Sequence, residues 1–187
     1  MKRCGIRILE KLWLLTGTKR AEFLDSENLY FDSIGLNLFK NPECWGYWCT
    51  PTNTLSFATT SGDGVHFGFL CKEGLSLDES PIVMTLPSAD TSNIIVGENI
   101  LDFLSLGCRN GYFELEQIEY QPELQIPIME SHAYSEEATR EEIKLLKAIE
   151  SEFNLKPWVD HAKRLFELKN KYIDLLEYSD EFYELTT

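Results

Sequence analysis

The sequence predicts an α+β fold, in which a mixed or mostly antiparallel sheet is flanked by helices and followed by a C-terminal αα-hairpin. The clearest observation is a β-hairpin at residues 55–70, where apolar and polar residues alternate on both sides of a Gly-Asp-Gly turn at 62–64. Two further short strands follow at 81–86 and 93–96. Segments with helical periodicity lie before and after these strands, which is typical of the α+β class.

The hairpin is the predicted nucleus of the sheet. Its two glycines tolerate the positive φ angles that a tight connection requires. The alternation places Phe57, Phe67 and Phe69 on the buried face and His66 on the opposite, polar face. We therefore expect two half-buried strands with the three phenylalanines in the core.

Two helices are expected to pack against this sheet. The first covers residues 5–16 and ends at Gly17, since apolar residues recur there at three- and four-residue spacings. The second covers 99–106, with Asn99 as its N-cap and Gly107 at its end. A further short helix is expected at 112–118.

The chain divides into three predicted parts. Residues 1–120 form the α+β domain, 121–130 a proline-bracketed connector, and 131–187 an acidic helical hairpin packed on the same domain. Within the hairpin, the second helix is expected to start at Pro157, because a proline at the first helical position loses no hydrogen bond. The apolar side of the first helix in this hairpin contains Ile143, Leu146, Ile149 and Phe153.

Charge is the most informative property of the composition. The 187 residues carry a formal net charge of −14. Residues 113–187 alone hold 18 acidic and 8 basic side chains. Such an excess disfavours nucleic acid and anionic membranes, and it favours a basic protein as partner.

Cysteines and hydropathy indicate a cytoplasmic protein without a metal. The five cysteines form an odd set without repeated spacing, as expected of thiols in a reducing compartment. The pair Cys44 and Cys49 has poor zinc spacing and no companion pair. No apolar run reaches the length of a signal-peptide core or a membrane span.

An aromatic patch stands between the first helix and the hairpin. Trp45, Tyr47 and Trp48 place three large rings within four positions. Such rings form sugar-stacking platforms or protein-binding hot spots in some proteins. The simpler interpretation, which we favour, is that they cover the adjoining sheet.

One set of titratable residues has the composition of an acid–base site. Asp63 and His66 lie at the hairpin tip, and Glu98 and Asp102 lie near a helix start. Each also has a structural explanation: Asp63 fits the turn, and acidic residues at a helix start complement its dipole. Because no local signature of a known enzyme class is present, we predict no catalytic residue and no cofactor.

The hairpin and the segments after it resemble the SUKH superfamily, which includes fungal glucan-synthesis regulators and many bacterial proteins. The resemblance covers about residues 54–104 and rests on three stretches, Phe-Ala-Thr-Thr-Ser-Gly-Asp-Gly-Val-His-Phe-Gly-Phe-Leu, Ser-Pro-Ile-Val-Met and Asn-Ile-Leu-Asp-Phe-Leu. The family's Asn-Gly-Gly-like turn has no counterpart here. The aromatic patch and the acidic C-terminal helices also lie outside its pattern.

The resemblance implies an α+β domain that works by binding proteins, commonly by neutralising toxins as an immunity protein. The acidic composition independently favours a basic partner such as a nuclease toxin. Two alternatives stay open: a small-ligand-binding protein or unfamiliar enzyme with a site near Asp63, His66 and Glu98, and a structural subunit of an assembly. The predicted partner-binding residues are Trp45, Tyr47, Trp48, Asp63, His66, Glu98 and Asp102.

Overall fold

The computed structural model describes residues 6–22, 31–131 and 133–186. It shows an α+β fold built on a five-stranded antiparallel sheet in the order β1-β2-β3-β4-β5, so that strands adjacent in sequence are adjacent in space. The predicted fold class is therefore confirmed. The strands are β1 Asn37–Glu43, β2 Thr54–Thr59, β3 His66–Leu70, β4 Ile82–Thr85 and β5 Asn93–Gly97.

Strands β2 and β3 form the predicted hairpin, with a bulge near Phe57. Phe57, Phe67 and Phe69 are fully buried, as predicted. The rings of Phe57 and Phe69 lie 4.5 Å apart, and Phe103 of the following helix packs 4.8 Å from Phe67. This face of the sheet forms the centre of the hydrophobic core.

The opposite face of the sheet is also buried, which the alternation did not predict. Every residue of β3 is buried, including His66 at 1% exposure. Pairing across the strands aligns His66 with Thr85 and Thr85 with Asn93, which gives a row of polar side chains. Asn93 donates to the carbonyl of Cys49, so the chain at 44–50 covers this row.

Seven α-helices surround the sheet in the described part of the chain. Their bounds are α1 Arg7–Glu22, α2 Ile100–Gly107, α3 Gln117–Tyr120, α4 Pro122–Glu130, α5 Arg140–Phe153, α6 His161–Tyr172 and α7 Asp180–Thr186. Asn99 caps α2 by accepting a hydrogen bond from the Asp102 N–H at 3.0 Å, as predicted. A short 3-10 turn at 113–116 and α3 together occupy the place of the predicted helix at 112–118.

Helix α1 is longer than its sequence pattern predicted. It continues through Gly17 to Glu22, whereas we expected Gly17 to end it. A single interior glycine costs about 1 kcal/mol relative to alanine, a cost that a longer helix tolerates. The predicted start at residue 5 lies outside the described residues. At the observed start, the Asp78 carboxylate accepts from the N–H groups of Arg7 and Ile8.

The segment 121–130, predicted as a proline-bracketed connector, forms a helix from Pro122 to Glu130. Pro122 occupies the first turn of α4, and Pro127 lies inside it. Proline is favourable at a helix start, and two buried side chains, Gln125 and Met129, hold the segment against the rest of the molecule. Tertiary packing therefore outweighs the effect of Pro127.

The C-terminal helices also differ from prediction at one boundary. Helix α6 begins at His161 and not at Pro157. Asp160 is its N-cap, has a φ of 57°, and accepts from the Lys163 N–H. Helix α5 begins with a capping box between Thr139 and Glu142. Leu145, Leu146, Ile149 and Leu168 from these helices belong to the same core as the sheet.

Candidate functional site

The aromatic segment after β1 folds over the start of β3. The ring of Trp45 lies 4.8 Å from His66 in an edge-on arrangement, and the ring of Tyr47 stacks on His66 at 5.7 Å. Trp45 also contacts Phe39. This arrangement matches the favoured interpretation that the patch covers the sheet. Tyr47, however, keeps 39% of its surface exposed, more than either tryptophan.

The buried side chain of His66 packs against the rings of Trp45 and Tyr47. Its Nδ1 lies 2.7 Å from the Gly64 carbonyl oxygen, and its Nε2 lies 3.1 Å from the Thr50 hydroxyl. A carbonyl can only accept, so the neutral ring carries its proton on Nδ1 and Nε2 accepts from Thr50. Burial lowers the pKa of His66 to about 4. The ring is thus neutral at physiological pH and is covered by Trp45 and Tyr47, so a direct contact between His66 and a partner would require those two rings to move.

The hairpin tip holds Tyr47 in place. Gly64 has a φ of 77°, and a Cβ there would lie 2.6 Å from the Tyr47 ring. Only glycine allows this approach. Asp63, beside it, has a φ of 44° and an exposed side chain. The turn therefore brings an exposed carboxylate next to a half-exposed tyrosine.

Other acidic side chains approach this tip from α3 and the turn before it. Burial raises the pKa of Glu116, and the charges of Asp63 and Glu114 raise it further. Burial also raises the pKa of Tyr120, together with the charges of Glu116 and Glu119. The hairpin tip and α3 therefore form one surface of concentrated negative charge. We call Tyr47, Asp63, Glu116, Glu119 and Tyr120 the acidic tip.

Trp48 points to a different neighbour. Its ring stacks on Phe182 of α7 at 5.8 Å, and Phe182 stacks on Tyr178 at 3.9 Å. Tyr178 in turn accepts a hydrogen bond from Asn93 of the polar row. Trp48 therefore anchors the last helix to the sheet.

Glu98 and Asp102 belong to an ion-pair network between α2 and α6. Arg164 Nη2 lies 2.8 Å from Asp102 Oδ2 and 3.1 Å from Glu98 Oε2. Lys171 and Tyr172 also donate to Glu98. The hydrogen bond from Lys171, with that from Arg164, lowers the pKa of Glu98 to about 2. Both carboxylates pair with the protein's own cations and so join two helices. They also line an open groove of about 430 Å³, and their role in partner binding stays a prediction.

The sheet separates the residues of the predicted acid–base set. His66 is the first residue of β3 and lies at one end of the sheet. At the other end, Phe69 of β3 pairs with Ile82 of β4, which pairs with Gly97, the last residue of β5. Glu98 therefore lies beyond one end of the strands and His66 at the other. Four residues of strand span roughly 13 Å, so the two cannot share a proton or a substrate atom. Asp63 and His66 are near in sequence, but one is exposed and the other covered.

Two concave surfaces in the part of the chain that the structure describes are open grooves. One, of about 480 Å³, is lined by residues including Arg109, Tyr134 and Glu150. Arg109 there forms a two-pronged salt bridge with Glu150, which sequence analysis missed because the partners lie 41 residues apart. Within the described ranges no cluster of three or more His, Cys, Asp or Glu side chains is arranged to bind a metal ion.

Sequence analysis also missed the acidic tip as a unit. The sequence does carry a signal for it, since residues 110–139 contain seven glutamates and no lysine or arginine.

None of the helices that the structure describes combines the length and the apolar character needed to cross a membrane.

Comparison of the chain with protein-family models, with curated proteins and with solved structures finds no match in any of the three. The SUKH relationship therefore stays a prediction based on the residues at 54–104.

Proposed function

We propose that this chain is a non-catalytic protein-binding module that uses the acidic tip to bind a basic protein. The observation that carries the proposal is the group of carboxylates at the hairpin tip. Asp63 lies close enough to Glu116 for its charge to raise the pKa of Glu116 further, and it precedes Gly64, which contacts the ring of Tyr47. The 110–139 segment that supplies Glu116 contains no lysine or arginine. A basic surface would relieve this repulsion on binding.

The resemblance to SUKH proteins suggests the biological setting. On this proposal the chain is an immunity protein that acts in the cytoplasm, and its partner is a basic toxin of the nuclease type. The net charge of −14 supports a basic partner by long-range attraction. The half-exposed ring of Tyr47 supplies a rigid apolar contact of the kind that dominates binding energy at interfaces.

The separation of His66 from Glu98 weighs against the alternative of a small-ligand or catalytic site near Asp63, His66 and Glu98. An acid–base pair needs both groups within hydrogen-bonding reach of one substrate, and these two lie at opposite ends of the sheet. A binding surface requires only that the charges and rings face outward together.

Association kinetics test the proposal. A basic protein captured by the immobilised chain should associate several-fold more slowly when salt rises from about 0.05 to about 0.5 M, because the screening length shortens to a few ångströms. Glu116→Lys should slow association at low salt, and Tyr47→Ala should speed dissociation by about tenfold or more.

Glu73→Lys is the matched control for the charge reversal. Glu73 is exposed and follows the far end of β3, at the opposite end of the strand from the hairpin tip. It changes the net charge by the same amount as Glu116→Lys, so equal slowing by both variants would remove the acidic tip as the site. Failure to capture any basic protein, or association indifferent to salt, would overturn the proposed function.

A further inference from the structure

Helix α4 exposes an apolar side to solvent. Leu124 and Ile128 are 63% and 52% exposed, and their four-residue spacing places them on one side of the helix. Gln125 and Met129, on the neighbouring side, are buried. Tyr120, at the adjoining end of α3, is 46% exposed. We call Tyr120, Leu124 and Ile128 the apolar stripe.

The apolar stripe is continuous with negative charge. The exposed Glu123 and Glu130 of α4 flank Leu124 and Ile128 along the helix. The 110–139 segment has no lysine or arginine, and the cations nearest in the fold come from α6, which packs against α4. Tyr120 is in the field of Glu116, Glu119, Asp63 and Asp90, whose charges add to burial in raising the pKa of its hydroxyl. A cation placed beside the stripe would therefore be stabilised.

These features together specify one kind of occupant. We propose that the apolar stripe is the docking site for a basic amphipathic helix of the protein partner, whose apolar side covers Leu124 and Ile128 and whose lysines and arginines face the surrounding glutamates. Helices that bind in this way present apolar residues at three- and four-residue spacings, which match the spacing of the stripe. The inference rests on the proposed function and adds the binding mode and the form of the partner.

Charge argues against the other occupants. A second copy of the chain would bring the same glutamates against this surface, and like charges in contact cost several kilocalories per mole across an interface. An anionic membrane is repelled for the same reason. A basic helix alone matches both the apolar and the charged parts of the surface.

A synthetic peptide provides a direct probe. A fluorescein-labelled helix of leucine and lysine with one apolar side should bind the chain in an anisotropy titration at about 0.15 M salt. A peptide of identical composition in scrambled order, without an apolar side, should bind more weakly. The double variant Leu124→Ser with Ile128→Ser should reduce affinity for the amphipathic peptide by about tenfold or more, equivalent to about 1.4 kcal/mol.

The matched control removes apolar surface elsewhere. Leu14 and Leu75 are 70% and 40% exposed and lie on α1 and in the loop after β3, and their double serine variant should change affinity less than about twofold. Unchanged thermal unfolding would show that each variant is folded. Equal losses in both double variants, no loss in either, or no preference for the amphipathic peptide would each overturn the docking site.

The two proposals fail separately. If a captured basic protein associates in a salt-dependent way but is indifferent to the Leu124 and Ile128 substitutions, the docking site is wrong and the proposed function stands. If the peptide binds through the stripe but no basic protein is captured, the docking site stands and the proposed function is wrong.

Discussion

At the residue scale, His66 shows how a local pattern and its tertiary setting differ. Alternation assigned it correctly to the side of β3 opposite Phe67. The pattern cannot show that Trp45 and Tyr47, some twenty positions earlier, return to cover that side. Once covered, a histidine is stable only as the neutral ring, because burial disfavours the charged form. The sequence places His66 on an exposed polar side of the strand, whereas the structure buries it beneath two aromatic rings.

This burial predicts a pH dependence of stability. The pKa of His66 is about 4 in the native protein against an ordinary value of 6.5. Below pH 6.5 the unfolded chain takes up a proton that the native protein does not, so stability is fully present above 6.5 and is lost as the pH falls towards 4. Between pH 7.5 and 5.0 the loss from this residue should be about 2 kcal/mol.

Urea unfolding at the two pH values measures this effect. The free energy of unfolding of the native sequence should fall by about 2 kcal/mol more than that of His66→Asn, which cannot titrate. The variant itself should be less stable at pH 7.5, since it loses ring contacts with Trp45 and Tyr47. Parallel decreases in the two proteins would show that His66 is protonated in the native state.

At the element scale, the ion pairs of Arg164 with Glu98 and Asp102 join α6 to the start of α2. Its guanidinium joins Asp102 and Glu98 and is 30% exposed, whereas Lys171, which joins only Glu98, is 58% exposed. Hydrogen bonds between charged groups gain strength as water is excluded, and exposed ion pairs contribute little. The two cations should therefore differ in what they contribute to stability.

We predict that Arg164→Met lowers the free energy of unfolding by about 2 kcal/mol, and that Lys171→Met lowers it by about 0.5 kcal/mol or less. Methionine keeps most of the apolar stem in each case, so the comparison isolates the charged groups. Urea unfolding at pH 7 gives both values. Equal effects would mean that Glu98, and not the shared guanidinium, holds the helices together.

Elements whose signals are local were predictable. The hairpin and α2 carry their own turn glycines or caps, at Gly64 and Asn99, and both formed where expected. Helix ends that depend on a non-glycine residue with positive φ were not predictable from the sequence. The C-cap of α5, Asn154, and the N-cap of α6, Asp160, both have positive φ, which composition does not reveal in non-glycine residues. Of the acidic tip, Tyr47 and Asp63 were predicted from the sequence. Its remaining members and the apolar stripe were missed because they lie in or beside segments predicted to be a short helix and a connector.

At the scale of the whole molecule, the C-terminal helices and the sheet are one structure. Trp158 donates through Nε1 to the Asp102 carbonyl at 2.9 Å, and Asn53 donates to the Leu175 carbonyl at 2.8 Å. The α5 and α6 side chains also complete the hydrophobic core. A chain in which such contacts cross between all its parts should unfold as one cooperative unit.

We therefore predict a single unfolding transition in urea, with coincident midpoints by tryptophan fluorescence and by far-ultraviolet circular dichroism. The fragment 1–120 should show no cooperative transition, because it lacks the core side chains of α5 and α6 and leaves buried apolar surface open to water. The fragment 1–179 is the matched control. It removes only α7, which contacts the rest of the described chain through rings such as Phe182 on Trp48, so it should remain cooperative with a lower midpoint. A fragment 1–120 that unfolded cooperatively near the midpoint of the full chain would show instead that the sheet domain folds without its C-terminal helices.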